Sequence, residues 1–326
     1  MKKEGTTIGK GMRPGALMRL GVWSLLLSAS VWWGCSSSNS GSFTAPVGIA
    51  VDSDGRIYVA DSGNNRIVRM ENIFGWNWTT FGSMGSGVNQ FNGPLGIAVD
   101  STGKIYVTDT GNNRIVRISN MNGAGWTELG TFGNGTNQFS SPWAIAVDAT
   151  PKIYVTDAAN DRIVQLDDMT GNVLSWHELG TTGSGINQFM EPDGIAVDSD
   201  EKIYVADNLN DRIVQLDDMT GNVLSWHELG TTGTGDDQFM GPSGIAVDSM
   251  KRIYVADNLN DRIVQMTNIN GAGWTTLGTT GSGFKQFNLP AGIAVDSSNN
   301  IYVSDQNNNR IIRMSSITGA LWTTYP

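Results

Sequence analysis

The stretch FNGPLGIAVDSTGKIYVTDTGNNRIVRI, residues 91–118, decides the fold, because five other segments of the chain follow the same plan. Its core, (Gly/Ala)-Ile-Ala-Val-Asp, begins at Gly48, Gly96, Ala144, Gly194, Gly244 and Gly292, at spacings of 48, 48, 50, 50 and 48 residues. Ile-Tyr-Val-x-Asp follows each copy and ends at Asp61, Asp109, Asp157, Asp207, Asp257 and Asp305. An (Asn/Asp)-Arg-Ile element then places Arg66, Arg114, Arg162, Arg212, Arg262 and Arg310, and each unit closes on a tryptophan, from Trp78 to Trp322. A register held through six copies is an internal repeat rather than coincidence.

Each unit alternates β-prone runs with turn-forming pieces. In the second copy the pattern predicts strands over Gly96–Val99, Lys104–Thr108, Arg114–Ile118 and Gly125–Gly130, with turns at 100–103, 109–113 and 119–124. Four short antiparallel strands cannot bury both faces alone, whereas repeating the sheet radially does. The expected fold is therefore all-β, a six-bladed β-propeller of four-stranded antiparallel blades over residues 43–326. Small residues such as Gly48 and Ala50 suit a crowded axis, Ile49 and Val51 fill between blades, and the tryptophans fill the wide outer wedge. A parallel β-helix would need rungs of about 20 residues, and a WD-type propeller would show Trp-Asp and Gly-His pairs. The sequence has neither signature. Closure of the ring has two solutions: the end blades simply pack, or Phe43 and its neighbours pair with the last sheet.

The N-terminus reads differently. Lys2, Lys3, Lys10, Arg13 and Arg19 precede the apolar run Val22–Trp33, which ends in Gly34-Cys35. A basic region, a short apolar region and a small residue make an export signal over residues 1–34 rather than a spanning helix. Cys35 is the sole cysteine, so no internal disulfide exists, and a Ser/Asn/Gly tract to Ser42 follows it. This resembles a bacterial lipoprotein signal, with Cys35 as the lipid attachment point and residues 35–42 as a polar tether. It departs from the usual pattern in placing Trp32 where leucine is customary. The resemblance implies a chain at a bacterial cell envelope, held by lipid in the outer membrane, or else secreted. Without residues 1–34 the formal charge falls from −10 to −14, since five basic residues and one acidic residue leave. A nucleic-acid partner is excluded on that sign.

The repeat resembles the NHL family: Phe-x-x-Pro-x-Gly-Ile-Ala-Val-Asp at Phe91–Asp100, then Ile105–Asp109 and Asn112–Ile115, recurs in every unit. The units are a few residues longer than that family's usual repeat, in segments such as 82–90 and 121–126. The likeness is specific for fold and weakly specific for function. Some enzymes that resemble this fold, peptide amidating lyases, use a histidine-coordinated zinc near the axis. The two histidines here, His177 and His227, fall on predicted outer strands, within a stretch duplicated between residues 161–183 and 211–233. Streptogramin lyases, and the similarly shaped gluconolactonases and paraoxonases with their channel-mouth calcium, have site residues that match nothing here position by position.

A feature present in every blade belongs to the frame, so the Asp61/Arg66 series reads as loop-pinning chemistry. The oxygen-rich loop Asp52-Ser-Asp-Gly55 admits calcium but reads first as ordinary turn chemistry, and no cofactor is expected. A site must lie where the blades disagree. The residue just before the (Gly/Ala)-Ile-Ala-Val motif varies as Val47, Leu95, Trp143, Asp193, Ser243 and Ala291. On the same side, the loop after the second strand varies as Ser62, Thr110, Ala158, Asn208, Asn258 and Gln306. Trp143, Glu191, Asp193, Leu209 and Leu259 are the ligand-binding candidates: an aromatic beside acids and leucines suits a peptide, a protein segment or a carbohydrate ring. The expected function is an envelope-associated ligand- or protein-binding propeller. The alternative is a lyase or lactonase-type enzyme at the same mouth, with Asp193 and Glu191 sharing acid–base or metal work. No nucleophile is evident.

Overall fold

The computed structural model describes residues 41–326; the export signal, Cys35 and all but the end of the tether lie outside the described residues. Six four-stranded sheets, each built from consecutive antiparallel strands, follow one another along the chain. Blade 1 comprises Pro46–Val51, Ile57–Asp61, Arg66–Met70 and Thr79–Phe81, and blade 4 comprises Pro192–Val197, Ile203–Asp207, Arg212–Leu216 and Trp226–Leu229. The innermost strands surround a channel of about 200 Å³ lined by Ile49, Ala50, Val51 and their five sets of equivalents. Every side chain lining it is apolar, and backbone groups supply its polar surface.

The cores lie between blades rather than within them. In one, Phe91, Ile97, Val107 and Val116 of blade 2 pack on Tyr58, Ala60 and Ile67 of blade 1. The equivalent core across the seam joins Phe43, Ile49, Val59 and Val68 to Tyr302 and Ile311 of blade 6. The seam is thus closed by packing, with no strand exchanged: the last sheet contains only residues 290–325. Phe43, Trp78 and Tyr325 complete it as an aromatic cluster with centroids 5.0–6.0 Å apart. At the other blades the leading phenylalanine packs on the tryptophan of its own blade, as Phe91 does on Trp126 at 5.5 Å.

The Asp–Arg pair explains how each loop is held. Asp61, Asp109, Asp157, Asp207, Asp257 and Asp305 are wholly buried. One carboxylate oxygen of each accepts a backbone N–H from the residue after the leading phenylalanine at 2.6–2.8 Å. The other accepts the arginine Nε at 2.7–2.8 Å. Burial raises the pKa of these aspartates, and the donated hydrogen bonds oppose it. The arginine then reaches outward: Arg114 donates to the carbonyls of Ser86 and Gln90, tying down the segment that connects blades 1 and 2. The series is structural, as its sixfold recurrence implies.

A second ring of contacts joins blade to blade. Ala45, Gly93, Ser141, Glu191, Gly241 and Leu289 all adopt left-handed backbone, with φ of 46–57°. Each N–H donates to an Asn or Asp side chain of the preceding blade at 2.8–2.9 Å, and Asn309 serves Ala45 across the seam. The sequence shows only an Asn/Asp at these acceptor positions; its partner lies about thirty residues on, or at the opposite end of the chain.

Candidate functional site at the channel mouth

The first strand is longer than the pattern predicts. In blade 2 it begins at Pro94 instead of Gly96, because the pairing slips: Pro94 faces Asp109 and Ile97 faces Val107, leaving one residue extra. The same bulge recurs in all six blades. A bulge breaks the in–out alternation and re-aims side chains. The variable residue lies inside it, so Val47, Leu95, Trp143, Asp193, Ser243 and Ala291 form a ring at the mouth.

Two devices set the spacing of that ring. The glycine after the variable residue allows close approach: a Cβ on Gly194 would stand 2.1 Å from the carbonyl oxygen of Ser243, and one on Gly48 2.3 Å from that of Leu95. Hydroxyls bridge three of the gaps. Thr156 accepts the Ala144 N–H at 2.8 Å and donates to the Asp193 carbonyl at 2.7 Å, placing the ring residues of blades 3 and 4 side by side. Thr108 does the same between Gly96 and Trp143. Ser304 links Gly292 to Val47 at the seam.

Asp193 is the sole ionisable member of the ring and is only 4% exposed. Its Oδ2 accepts the Asn208 amide at 2.8 Å, and Asn208 also donates to the Pro242 carbonyl at 3.2 Å. Its Oδ1 is buried without a hydrogen bond of normal geometry. Burial holds the Asp193 carboxyl well above the usual range, with Glu191 and Asp207 adding repulsion; Ser243 and Asn208 act in the opposite direction. The Ser243 hydroxyl thus faces the carboxyl closely enough to favour its charge, short of a well-formed bond.

The other candidates divide. Trp143 and Glu191 are half-buried, with Trp143 one ring position from Asp193 and Glu191 at the left-handed residue two before it. Leu209 and Leu259 lie half-buried in the short 3-10 turns Asn208–Asn210 and Asn258–Asn260. Leu259 covers loop backbone: an atom added to Gly241 would lie 3.0 Å from its Cδ1 and Cγ. Its N–H bonds to Met240, as that of Leu209 bonds to Met190. Asn208 and Ser243, which hold Asp193, were visible in the sequence only as variable positions, because their service to Asp193 crosses from one segment to others.

No group of three or more His, Cys, Asp or Glu able to hold a metal occurs among the described residues. In the Asp52 loop, Oδ1 accepts the N–H groups of Asp54 and Arg56 at 3.0 and 2.9 Å, and Oδ2 accepts Arg56 Nε and Tyr58 OH at 2.7 and 3.0 Å. Both carboxylate oxygens of Asp52 are thus engaged within the turn. His177 and His227 are exposed on fourth strands, paired with Gln165 and Gln215, far from the mouth.

The NHL repeat family matches residues 43–70, 91–118, 239–266 and 287–313. The chain is an NHL-repeat β-propeller. No curated protein matches it in sequence. Among solved structures, virginiamycin B lyase from Staphylococcus aureus shares 18% identity at a TM-score of 0.57, over 89% of this chain and 86% of that one. A catalytically inactive histidine-to-alanine variant of that lyase with quinupristin gives 20% and 0.59, over 90% and 87%. A chain of a nidogen/laminin complex shares 21% identity at a TM-score of 0.62, over 80% and 90%. These likenesses show a shared fold and no more.

Proposed function

We propose that this propeller is a binding module whose ligand- or protein-binding face is the channel mouth of blades 3 to 5, held at a bacterial cell envelope through a lipid on Cys35. The observation that carries the reading is asymmetry. In a ring of otherwise uncharged residues, one blade presents a buried carboxyl with an oxygen that lacks a well-formed hydrogen bond, one ring position from a half-buried tryptophan. A frame that repeats six times has no structural need for such an exception, and an uncompensated buried acid costs stability. The similar chain from a nidogen/laminin complex supports a protein partner by analogy of fold. A carbohydrate or peptide ring on Trp143 fits the same surface.

The enzyme alternative rests on the raised pKa of Asp193 beside Glu191, the environment of a general base. Against a mechanism like that of the structurally similar lyase stands the loss of activity there on replacing a histidine, whereas both histidines of this chain lie on outer strands. Incubation with quinupristin is expected to leave it intact; turnover would favour the enzyme.

Binding is tested by capture from an envelope extract with wild type, Trp143→Ala and Leu209→Ala. Both variants are expected to keep their circular dichroism and lose the captured partner. Equal capture by all three would sink the chosen face. Cys35→Ser is expected to move the chain from the membrane to the soluble fraction.

A further inference from the structure

We infer that the mouth recognises a cationic organic group, an alkylammonium or guanidinium such as a lysine or arginine side chain presents, with Asp193 as its counter-ion. The inference rests on the binding-face reading above and narrows it to a ligand class.

The argument is one of unmet charge. Among the described residues no cation pairs with Asp193. The charged groups that act on it, Glu191 and Asp207, are both acids. The arginine of its blade, Arg212, is committed elsewhere: Nε to Asp207 at 2.8 Å, Nη1 to Glu228 at 2.6 Å, and the remaining donors to carbonyls of residues 184, 185 and 188. Asn208 satisfies Oδ2 and is itself fixed by its second bond to Pro242. What is left is Oδ1, buried without a well-formed hydrogen bond and facing the neutral Ser243 hydroxyl. The six wholly buried carboxylates of the second strands each receive their own arginine, as Asp157 does from Arg162 at 2.8 Å, and the buried Asp211 has both oxygens hydrogen-bonded, to the Gly241 N–H and the Thr232 hydroxyl.

The missing partner must bring positive charge and hydrogen-bond donors together. An anion would add to the repulsion of three carboxylates. A neutral sugar hydroxyl would donate to Oδ1 but would not offset the burial that disfavours its ionised form, as a cation does. A metal ion would call for a set of ligands that is absent among the described residues. An alkylammonium or guanidinium meets both needs, and the half-buried Trp143, one ring position away, would supply an aromatic ring for the same cation. Because Oδ1 is buried, reaching it takes a side-chain rotamer change at the mouth, of the kind common when interfaces form.

The test is calorimetric titration of the protein with Nα-acetyl-lysine amide, Nα-acetyl-arginine amide and butylamine at physiological salt, against the uncharged Nα-acetyl-norleucine amide. The cations are expected to bind, and the norleucine compound to bind at least about tenfold more weakly, as loss of a charged hydrogen bond requires. Binding by the amino-acid amides alone, without butylamine, would identify a peptide side chain as the source; binding by all three would include free amines. Asp193→Asn is expected to lose about tenfold or more for every cation, and Trp143→Leu roughly two- to fivefold. Asp236→Asn, at an exposed acid on the outer connection, is expected to change nothing. Equal binding of norleucine and lysine amides, or unaltered cation binding by Asp193→Asn with wild-type circular dichroism, would overturn the inference. If those results came with partner capture still lost in Trp143→Ala, the binding face would stand and only its cation specificity would fall.

Discussion

Replacing Asp193 by asparagine is expected to stabilise the protein while removing its ligand site. The substitution keeps the shape. The asparagine oxygen can accept the Asn208 amide now bound to Oδ2 at 2.8 Å, and its NH2 group would face the Ser243 hydroxyl where Oδ1 now lacks a normal hydrogen bond. A buried polar atom left unsatisfied costs about 1–3 kcal/mol, and charge adds to that cost. The variant should therefore gain on the order of 1–3 kcal/mol at a pH above the folded pKa of Asp193, or roughly 2–4 °C in Tm per kcal/mol for a domain of this size. The pH dependence follows from the direction of the shift. Burial and then Glu191 raise the folded pKa of Asp193, so the ionised form is penalised in the fold. The variant's advantage is full above that folded pKa, shrinks as pH falls through it, and is gone near the unfolded value of about 3.9. Guanidinium unfolding midpoints of both proteins across pH 4–8 measure it. An asparagine variant less stable than wild type at pH 8, with a difference that does not vary with pH, would show that Asp193 is already compensated as an ion and would remove the basis of the site.

Three further outcomes probe the frame. Arg114→Lys removes the planar fork that joins Asp109 to the carbonyls of Ser86 and Gln90, and the buried pair should lose about 3–5 kcal/mol in urea unfolding, with exchange protection falling first in residues 82–90. Phe43→Ala and Phe139→Ala should each cost about 3–5 kcal/mol, because the seam core is built like the others; a much smaller cost at Phe43 would mean that the ring opens at the seam. Gly194→Ala should destabilise by about 1–3 kcal/mol, since its Cβ would stand 2.1 Å from a backbone oxygen; unchanged thermal stability would contradict the close packing of the inner strands.

The number of blades, their four-strand plan and the structural role of the Asp–Arg pairs are set by repetition and local chemistry, which a one-dimensional pattern displays in full. Reading the varying residues as the place for a site likewise needs no coordinates, because six copies act as their own reference. Three things needed the tertiary structure. Closure depends on contacts such as Ala45 with Asn309, joining residues at opposite ends of the chain. The bulge before the (Gly/Ala)-Ile-Ala-Val motif depends on strand register, which hydrophobic alternation cannot reveal where the run is apolar throughout. The unmet oxygen of Asp193 is a property of everything around it, brought together from blades 4 and 5. The sequence by itself determined that this chain would be a ring of six. Only the packing of that ring decided which carboxylate oxygen would be left without a well-formed hydrogen bond, because burial and hydrogen-bond satisfaction exist only once distant segments meet.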